Sequence, residues 1–556
     1  MNRLVNRRIR LFLAVLTLAF GGLLLRATWL QSVRAESLSR LGQTQHRETI
    51  EIPAGRGTIY DRTGVELGLG ESATTIYANP MQIPNPRAAA VSVERTLGLD
   101  ANRLYPLLAD RSRGFVYVAR QADPAQAAAL KRLNLPGFGF YPEERRNYPQ
   151  RSVASQVLGY VGIDGNGLAG LELEFDRDLA GRPGKETIVK DPSGRVIDRA
   201  REQAEVPGRD LFLTLDHSIQ ANAEQVLRAT VHRWGAKSAS AIVLDPRTGS
   251  ILAMAVQPGY DANRFPSAPS DLQRNRTVTD TYEPGSTFKL ITVAGALSEH
   301  IVAPSTRFEL SYSLHVADRV VHDAEERGTV NYSVAQILAH SSNIGAITLA
   351  EMLGRTRLSS WITRFGFGRT TGVDFPGESP GIVLPPDKWS GSTIGNVPIG
   401  QGIAVTPVQM AAAYAAVANR GVWARPHLVD HVAGGGRPSL YRRRLVSPRT
   451  AAELMMMLKD VVAEGTGQYA AMPGYQVAGK TGTAQKPDSH GGYASDRYVA
   501  SFVGIVPASR PRLVVLVTVD EPRGAIWGGV VAAPAFQQIA RFDLQYLEVP
   551  PDAPGS

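Results

Sequence analysis

The sequence predicts an α+β protein in several parts: one membrane-crossing helix, an irregular α/β region after it, and a large carboxyl-terminal domain combining strands with a helical block. Three observations predict this. An apolar run follows a basic amino terminus, apolar strand-like segments recur at both ends of the region 209–548, and segments of helical spacing lie between them. At 556 residues, 43% hydrophobic and 20% charged, the chain has room for two to four domains of roughly 100 to 200 residues each. A minimal binding module, a disordered chain and a polytopic transporter are thereby excluded.

Residues 1–10 form a short tail carrying Arg3, Arg7, Arg8 and Arg10, and Leu11 to Leu25 are apolar except for Thr17 and two glycines. Extending the run over 11–30 gives about 20 residues, or roughly 30 Å of helix, enough to cross a bilayer. Arg26 would snorkel and Trp29 would sit at the interface. The basic tail places the amino terminus in the cytoplasm and everything after about residue 35 outside. A cleaved signal peptide is the competing reading, because Val33-Arg34-Ala35 offers small residues at a suitable distance. Either way the bulk of the chain is exported, where neither ATP nor nicotinamide is at hand.

Residues 36–208 are mixed and Arg-rich, with short apolar runs broken by turn dipeptides and no sustained helical period, which predicts an irregular region of small lobes. From 209 to 548 the pattern is firmer. LFLTLD reads as a strand and Ser218 to Trp234 as an amphipathic helix, and SASAIVLD and ILAMAVQP form a hairpin around DPRTGS. YVASFVGIVP and RLVVLVTVDEP are two further strands, and VAAPAFQQIARF a closing helix. The insert 284–465 holds helical segments at STFKLITVAGALSEH, SVAQILAH, TPVQMAAAYAAVANR and TAAELMMMLKDVVAEG. The tail 549–556 is expected to be disordered.

There is no cysteine, which removes thiol nucleophiles, disulfides, zinc ribbons and iron–sulfur clusters. The net charge is +9, only nine of the 60 basic residues are lysine, and the arginines are scattered, so nucleic acid is not an expected partner. There is no H-E-x-x-H, EF-hand loop or histidine cluster, and Gly366, Gly368 and Gly372 are spaced one residue too widely for a dinucleotide fingerprint. The expected metal is none and the expected cofactor is none.

Chemistry is concentrated in three short motifs. Glu283-Pro284-Gly285 feeds Ser286 into a helix whose Lys289 lies three residues on, on the same face. A lysine can deprotonate a serine if its pKa falls from about 10.4 toward 7 or 8, which burial and a second nearby cation both favour. Ser341-Ser342-Asn343 is the only S-x-N in the chain and Lys480-Thr481-Gly482 the only K-T-G, and both follow the only S-x-x-K. S-x-x-K, S-x-N and K-T-G in this order form the signature of active-site serine acyltransferases acting on penicillin and on D-alanyl-D-alanine peptides.

On these motifs the chain resembles a class B penicillin-binding protein, a peptidoglycan D,D-transpeptidase, most closely the FtsI type of cell division. RGTIYDRTG at 56–64 and GLAGLELEFDRDLAGRPG at 167–184 are similar to the family's pedestal signatures. RNRTVTDTYEPGSTFK, HSSNIGAI, PIGQGIAVTPVQMA and VAGKTGTAQ are similar to its transpeptidase domain. The resemblance implies a pedestal (a dimerisation-like domain) over 36–208 and, over 209–548, a β-lactamase-like domain with a five-stranded antiparallel sheet between helices. It also implies roles. Ser286 would attack the carbonyl between two D-alanines, Lys289 would be its base, Ser341 would relay protons, Asn343 would hold the substrate backbone and Lys480 would tune the local field. Thr481 and Thr483 would bind the terminal carboxylate, Gly482 would let the strand approach substrate, and the N–H groups of Ser286 and Thr483 would form the oxyanion hole. The implied partners are D-Ala-D-Ala stem peptides, β-lactams, the cell membrane, an FtsW-type glycosyltransferase and other divisome proteins.

Each motif also has a plain structural reading. Ser286 serves as an ordinary helix cap, Ser341 and Asn343 cap a helix from Ile344, and Lys480 is an exposed strand lysine. Gly474 to Thr481 fits G-x-x-x-x-G-K-[ST], but no buried strand precedes it and no helix follows, so a phosphate loop is rejected. No E-x-x-L-N segment of the hydrolytic β-lactamase kind is found. Within the family, an elongation-specific transpeptidase or a D,D-carboxypeptidase remain alternatives, and outside enzymes a catalytically silent divisome scaffold.

Overall fold

The computed structural model describes residues 2–32, 47–190, 196–437, 439–488 and 491–553. The cleavage-site residues Val33-Arg34-Ala35 and the final residues 554–556 lie outside them. Asn2–Ser32 is one helix, of which Val5–Ser32 is long and apolar enough to cross a membrane. Its Leu11, Phe12, Leu18 and Leu25 side chains are exposed. Thr17 and Thr28 turn their hydroxyls back onto Leu13 O and Leu24 O, each at 2.8 Å, which lets polar residues sit in an apolar helix.

Contacts divide the chain into one unit of residues 1–55 with 181–208 and another of 56–180 with 209–556. In the first, Arg47–Ile52, Gly184–Lys190 and Val196–Gln203 form a three-stranded antiparallel sheet. Within the second unit Leu211–Leu213 pairs in parallel with Ile59–Tyr60 and antiparallel with Val429–Val432, so one sheet draws on both sides of residue 208. Pairing between strands so distant in sequence leaves no local signature.

Residues 86–132 lie in the region expected to be irregular α/β, with no helical period beyond a few turns. Pro86–Leu97, Ala101–Ala109 and Pro124–Arg132 are helices. Their starts carry standard caps: Asn85 accepts the Ala88 N–H and Asp123 those of Ala125 and Gln126, each with proline at the first helical position. Each helix has three turns or so, too short for a period to stand out, and each buries only a few residues, among them Val93, Leu104, Leu108 and Leu130.

The large domain is built on a five-stranded antiparallel sheet. Its strands are β1 (Ser238–Leu244), β2 (Ile251–Gln257), β3 (Ala478–Pro487), β4 (Tyr493–Val506) and β5 (Leu513–Asp520), in the spatial order β2-β1-β5-β4-β3. All of β1 and β2 is buried, because both faces are covered. On one face Ala239, Val243, Phe502, Val515 and Val517 pack with α1 (His217–Trp234) and α6 (Ala533–Tyr546). On the other, Ile242, Met254, Val503 and Leu516 join a core shared with α2 (Lys289–Ser298), α3 (Asn343–Leu353), α4 (Pro407–Ala418) and α5 (Pro448–Ala463). The expected helical insert also contains two unexpected hairpin ladders, Arg307–Leu310 with Val330–Ser333 and Ser313–Val316 with Arg319–His322. The tail expected to be disordered is held in place as far as residue 553. Val549 is buried, Asp552 accepts the Gln476 N–H at 2.7 Å, and Ala553 N–H donates to Gly474 O at 3.1 Å.

The two pedestal-like signatures meet in one buried ion-pair network. Arg56 Nε donates to Glu172 Oε2 at 2.7 Å and Arg56 Nη1 to Asp176 Oδ1 at 2.8 Å, while Arg146 Nε donates to Glu172 Oε1 at 2.7 Å. The Glu172 side chain is fully buried and both guanidiniums nearly so. Removing the shared carboxylate leaves buried Arg146 without its carboxylate partner and Arg56 with Asp176 alone. Glu172→Ala is expected to destabilise this unit by about 3–5 kcal/mol in denaturant unfolding, and a loss below about 1 kcal/mol, the scale of an exposed pair, would contradict this account.

Candidate active site

Ser286 sits in a single 3-10 turn, Gly285–Phe288, that runs directly into α2. The turn is fixed from four directions. Thr287 Oγ1 donates to Pro284 O at 2.7 Å, Tyr414 OH of α4 donates to Thr287 O at 2.8 Å, Gly285 N–H donates to Gly400 O at 3.0 Å, and Phe288 is buried against Phe367. Gly285 has φ +54°, and a Cβ there would stand 2.7 Å from Thr483 O. Only glycine therefore permits the serine turn to lie this close to β3. No side-chain capping bond is made at this turn, so Ser286 is not spent as a helix cap and lines a groove of about 770 Å³ instead.

Lys289 is fully buried one turn below. Its Nζ donates to Asn343 Oδ1 at 2.7 Å, to Ser341 Oγ at 3.2 Å and to the Ser341 carbonyl. Ser341 adopts φ +59°, a left-handed conformation that turns it toward the lysine. The capping of α3 falls to Ser342, whose Oγ accepts the Gly345 N–H at 3.0 Å, which frees its two neighbours to serve Lys289. Burial brings the Lys289 pKa down to about 7, with the Asp323 carboxylate pulling the other way.

Lys480 is also fully buried on β3, not an exposed strand lysine. Desolvation and then the positive charge of Lys289 push its pKa well below the ordinary lysine value. Its contacts to Thr481 O and Oγ1 are long, at 3.4 Å each. Beside it, Thr481 Oγ1 shares a 2.7 Å hydrogen bond with Thr466 Oγ1, and Thr483 Oγ1 accepts the Gly528 N–H at 3.0 Å. A Cβ on Gly482 would come within 2.8 Å of Pro284 O and 2.3 Å of Ser501 Oγ. The three motifs are thus brought together: Ser286, Ser341, Asn343, Thr481 and Thr483 line the groove, with Lys289 buried against Ser341 and Asn343 and Lys480 buried beside Thr481. The Gly474–Thr481 match to a phosphate loop ends in a strand, not at a helix start.

Comparison with known proteins decides what this arrangement is. The penicillin-binding protein transpeptidase domain matches residues 239–541 and the penicillin-binding protein dimerisation domain residues 51–213. Peptidoglycan D,D-transpeptidase FtsI of Escherichia coli is 31% identical over 560 residues, covering 99% of this chain and 93% of that protein. Penicillin-binding protein PbpB of Mycolicibacterium smegmatis is 35% identical over 585 residues, covering 97% and 89%. The crystal structure of penicillin-binding protein 3 from Mycobacterium tuberculosis complexed with aztreonam superposes with a TM-score of 0.72 at 31% identity, covering 91% of this chain and 99% of that one. The chain belongs to the class B penicillin-binding proteins, of the FtsI type. The five-stranded sheet flanked by helices is the transpeptidase fold of that family.

Several residues of this penicillin-binding protein's groove were not legible from motifs. Asp323 and Arg327 come from a polar loop, Thr466 from the end of α5, and Tyr469 and Trp527 stand exposed at the rim. Glu283, just before the serine turn, accepts the Gly402 N–H at 2.9 Å and the Tyr493 hydroxyl at 3.2 Å, tying together the loops on either side. Burial raises the Glu283 pKa. Elsewhere Asp61, Asp216 and His217 converge within 4.8 Å. Hydrogen bonding accounts for them, since Asp61 pairs with His217 Nδ1 at 2.7 Å and Asp216 caps α1.

The closeness of the serine turn to β3 can be tested directly. Gly285→Ala adds a Cβ 2.7 Å from Thr483 O at a left-handed backbone position. The displacement is expected to lower the rate of acylation by penicillin about a hundredfold while costing about 1–3 kcal/mol of stability. Stopped-flow acylation beside thermal unfolding checks both, and a variant that acylates at the parent rate would refute the steric account.

Proposed function

We propose that Ser286 is the nucleophile of a peptidoglycan D,D-transpeptidase and that Lys289 is its base. The observation that carries this reading is the Lys289 ammonium site: fully buried, three residues from Ser286, and hydrogen-bonded to both Ser341 and Asn343. As the neutral amine, Lys289 takes the Ser286 hydroxyl proton while Oγ adds to the carbonyl between the two D-alanines of a stem peptide. The N–H groups of Ser286 and Thr483 stabilise the oxyanion. The C–N bond then breaks, and the leaving D-alanine amine receives a proton through Ser341, leaving an ester on Ser286. An amine of a neighbouring stem peptide attacks that ester, forms the crosslink amide and returns Ser286 to the hydroxyl form.

The remaining motif residues have supporting roles. Asn343 binds the substrate backbone, Thr481 and Thr483 bind the terminal carboxylate or its β-lactam equivalent, and Gly482 gives the close approach. Lys480 sets the field on Lys289. A β-lactam fits the same site because its strained amide presents the same carbonyl to Ser286. Two intact buried lysines speak against a silent scaffold, which gains nothing from desolvating them.

The same reading extends to the rest of the chain. The tail 1–10 lies in the cytoplasm, 11–30 spans the membrane, 36–208 acts as pedestal and 209–548 carries out the reaction on the outer side, as the Arg-rich tail supports. The FtsI-type relatives support a role in septal wall synthesis, with an FtsW-type glycosyltransferase and divisome proteins as partners of the helix and pedestal.

Two measurements test the chemistry. Full-length protein incubated with a fluorescent penicillin should gain one covalent adduct by intact mass, and Ser286→Ala should gain none; a labelled variant moves the nucleophile elsewhere. The acylation rate of the parent should rise with pH through about 7, where the buried Lys289 loses its proton. Because the working form is the neutral amine, activity is lost on the acid side. A rate flat from about pH 5 to 9 would remove Lys289, whose expected midpoint lies inside that window, as the base.

A further inference from the structure

The Ser341-Ser342-Asn343 turn is held from behind by a side chain outside the three motifs. Asp323, at the end of the hairpin Ser313–Val316 with Arg319–His322, has a side chain only 8% exposed. It accepts the backbone N–H groups of Asn343 and, at 3.1 Å, Ile344, and the Ser342 hydroxyl at 3.1 and 3.2 Å from its two oxygens. The carbonyl just before it, His322 O, accepts the Asn343 Nδ2–H at 2.8 Å, so the side-chain amide presents its oxygen to Lys289.

Asp323 is itself clamped. Arg327 donates to Asp323 Oδ2 through Nε at 3.0 Å and also through Nη2. The rest of the same guanidinium reaches Leu310 O and Gly328 O, each at 2.9 Å, and Ser311 O at 3.2 Å, and it stands 5.7 Å over the Tyr332 ring. A carboxylate at the start of α3 with several donors is more than a cap, because two of those donors belong to the residues flanking the Lys289 contacts.

We propose that Asp323, held by Arg327, is a positioning residue that sets both the shape of the Ser341-Ser342-Asn343 turn and the charge felt by Lys289 during acylation. The inference rests on Lys289 acting as the base. The charged groups around Lys289 are Asp323 from the loop, which acts on it directly, Arg327 behind Asp323, and Lys480 from β3, which feels the Lys289 charge. Glu325, His340 and Glu464 line the groove further out. Burial drives the amine toward neutrality, and Asp323 opposes it. Its carboxylate keeps the amine able to hold the serine proton once taken.

A helix cap alone would affect folding, not the titration of Lys289, so the pH dependence of acylation separates the two. Full-length parent, Asp323→Asn and Arg327→Gln in detergent are mixed with a fluorescent penicillin, and the acylation rate is followed from about pH 5 to 9. Asp323→Asn removes the negative charge, so its midpoint should move to lower pH, and its plateau rate should fall about ten- to a hundredfold as the turn loosens. Arg327→Gln leaves Asp323 without its counter-charge, so its midpoint should move to higher pH. Opposite shifts support the proposal. Midpoints that stay at the parent value, or move together, overturn it even if both variants lose rate. If thermal unfolding finds Asp323→Asn unfolded, Arg327→Gln alone decides: an upward shift supports, an unmoved or lowered midpoint overturns. A parent rate without any pH limb would instead strike at Lys289 as base.

Discussion

The site depends on two lysines held fully buried beside one another, Lys289 on α2 and Lys480 on β3. A buried ammonium is costly, and a second one nearby makes it costlier, so the pair favours neutral amines. For Lys289 the drop from 10.5 to about 7 corresponds to roughly 5 kcal/mol in favour of the neutral form, at about 1.4 kcal/mol per pH unit. No surface serine–lysine pair at the same sequence spacing would have this property. The surrounding fold can be understood as what keeps those two amines dry and aligned.

That burial requires the helical block and the sheet to meet closely along one line. The closeness comes from missing side chains. Gly285 lies against Thr483 O, Gly400 against Gly285 O, Gly482 against Pro284 O, and Gly528 against Gly482 O, each at a distance where a Cβ would collide with backbone. Four glycines therefore stack the serine turn, the 400 loop, β3 and the start of the next helix into one layer. Above them the Ser341 turn supplies the polar partners that a buried amine needs, and the Asp323–Arg327 pair fixes that turn.

How much of this was legible in the sequence follows from what is local. Ser286, Lys289, Ser341, Asn343 and Lys480 stood out because lysine is scarce, nine in 556 residues, and the three motifs occur once each in one order. The apolar runs of β1 and β2 around their turn and the helices of 289–463 were readable because each signal lies within a few consecutive residues or turns. Asp323 was not, because an acidic residue in H-D-A-E-E-R looks like any solvated loop until the start of α3 is folded against it. Nor were the helices of 86–132, too short to show a period, although Asn85-Pro86 and Asp123-Pro124 announced their starts. The sheet that joins Ile59–Tyr60, Leu211–Leu213 and Val429–Val432 brings together strands more than 150 residues apart and no window could have found it.

The position of the site in the sheet has its own logic. β3 is the last strand of the sheet, and an edge strand presents unpaired backbone groups that invite pairing with foreign chains. Here the serine turn covers part of β3: Pro284 O and Thr287 lie against Gly482, and Gly528 lies against the carbonyls of Gly482 and Ser501. Thr481, Thr483 and Gln485 of the same strand line the groove. The same stretch of strand therefore meets both the serine turn and the groove that Ser286 lines. A peptide that paired with this strand would be brought to Ser286 by the same contacts that held it, so strand and serine turn would meet it from two sides.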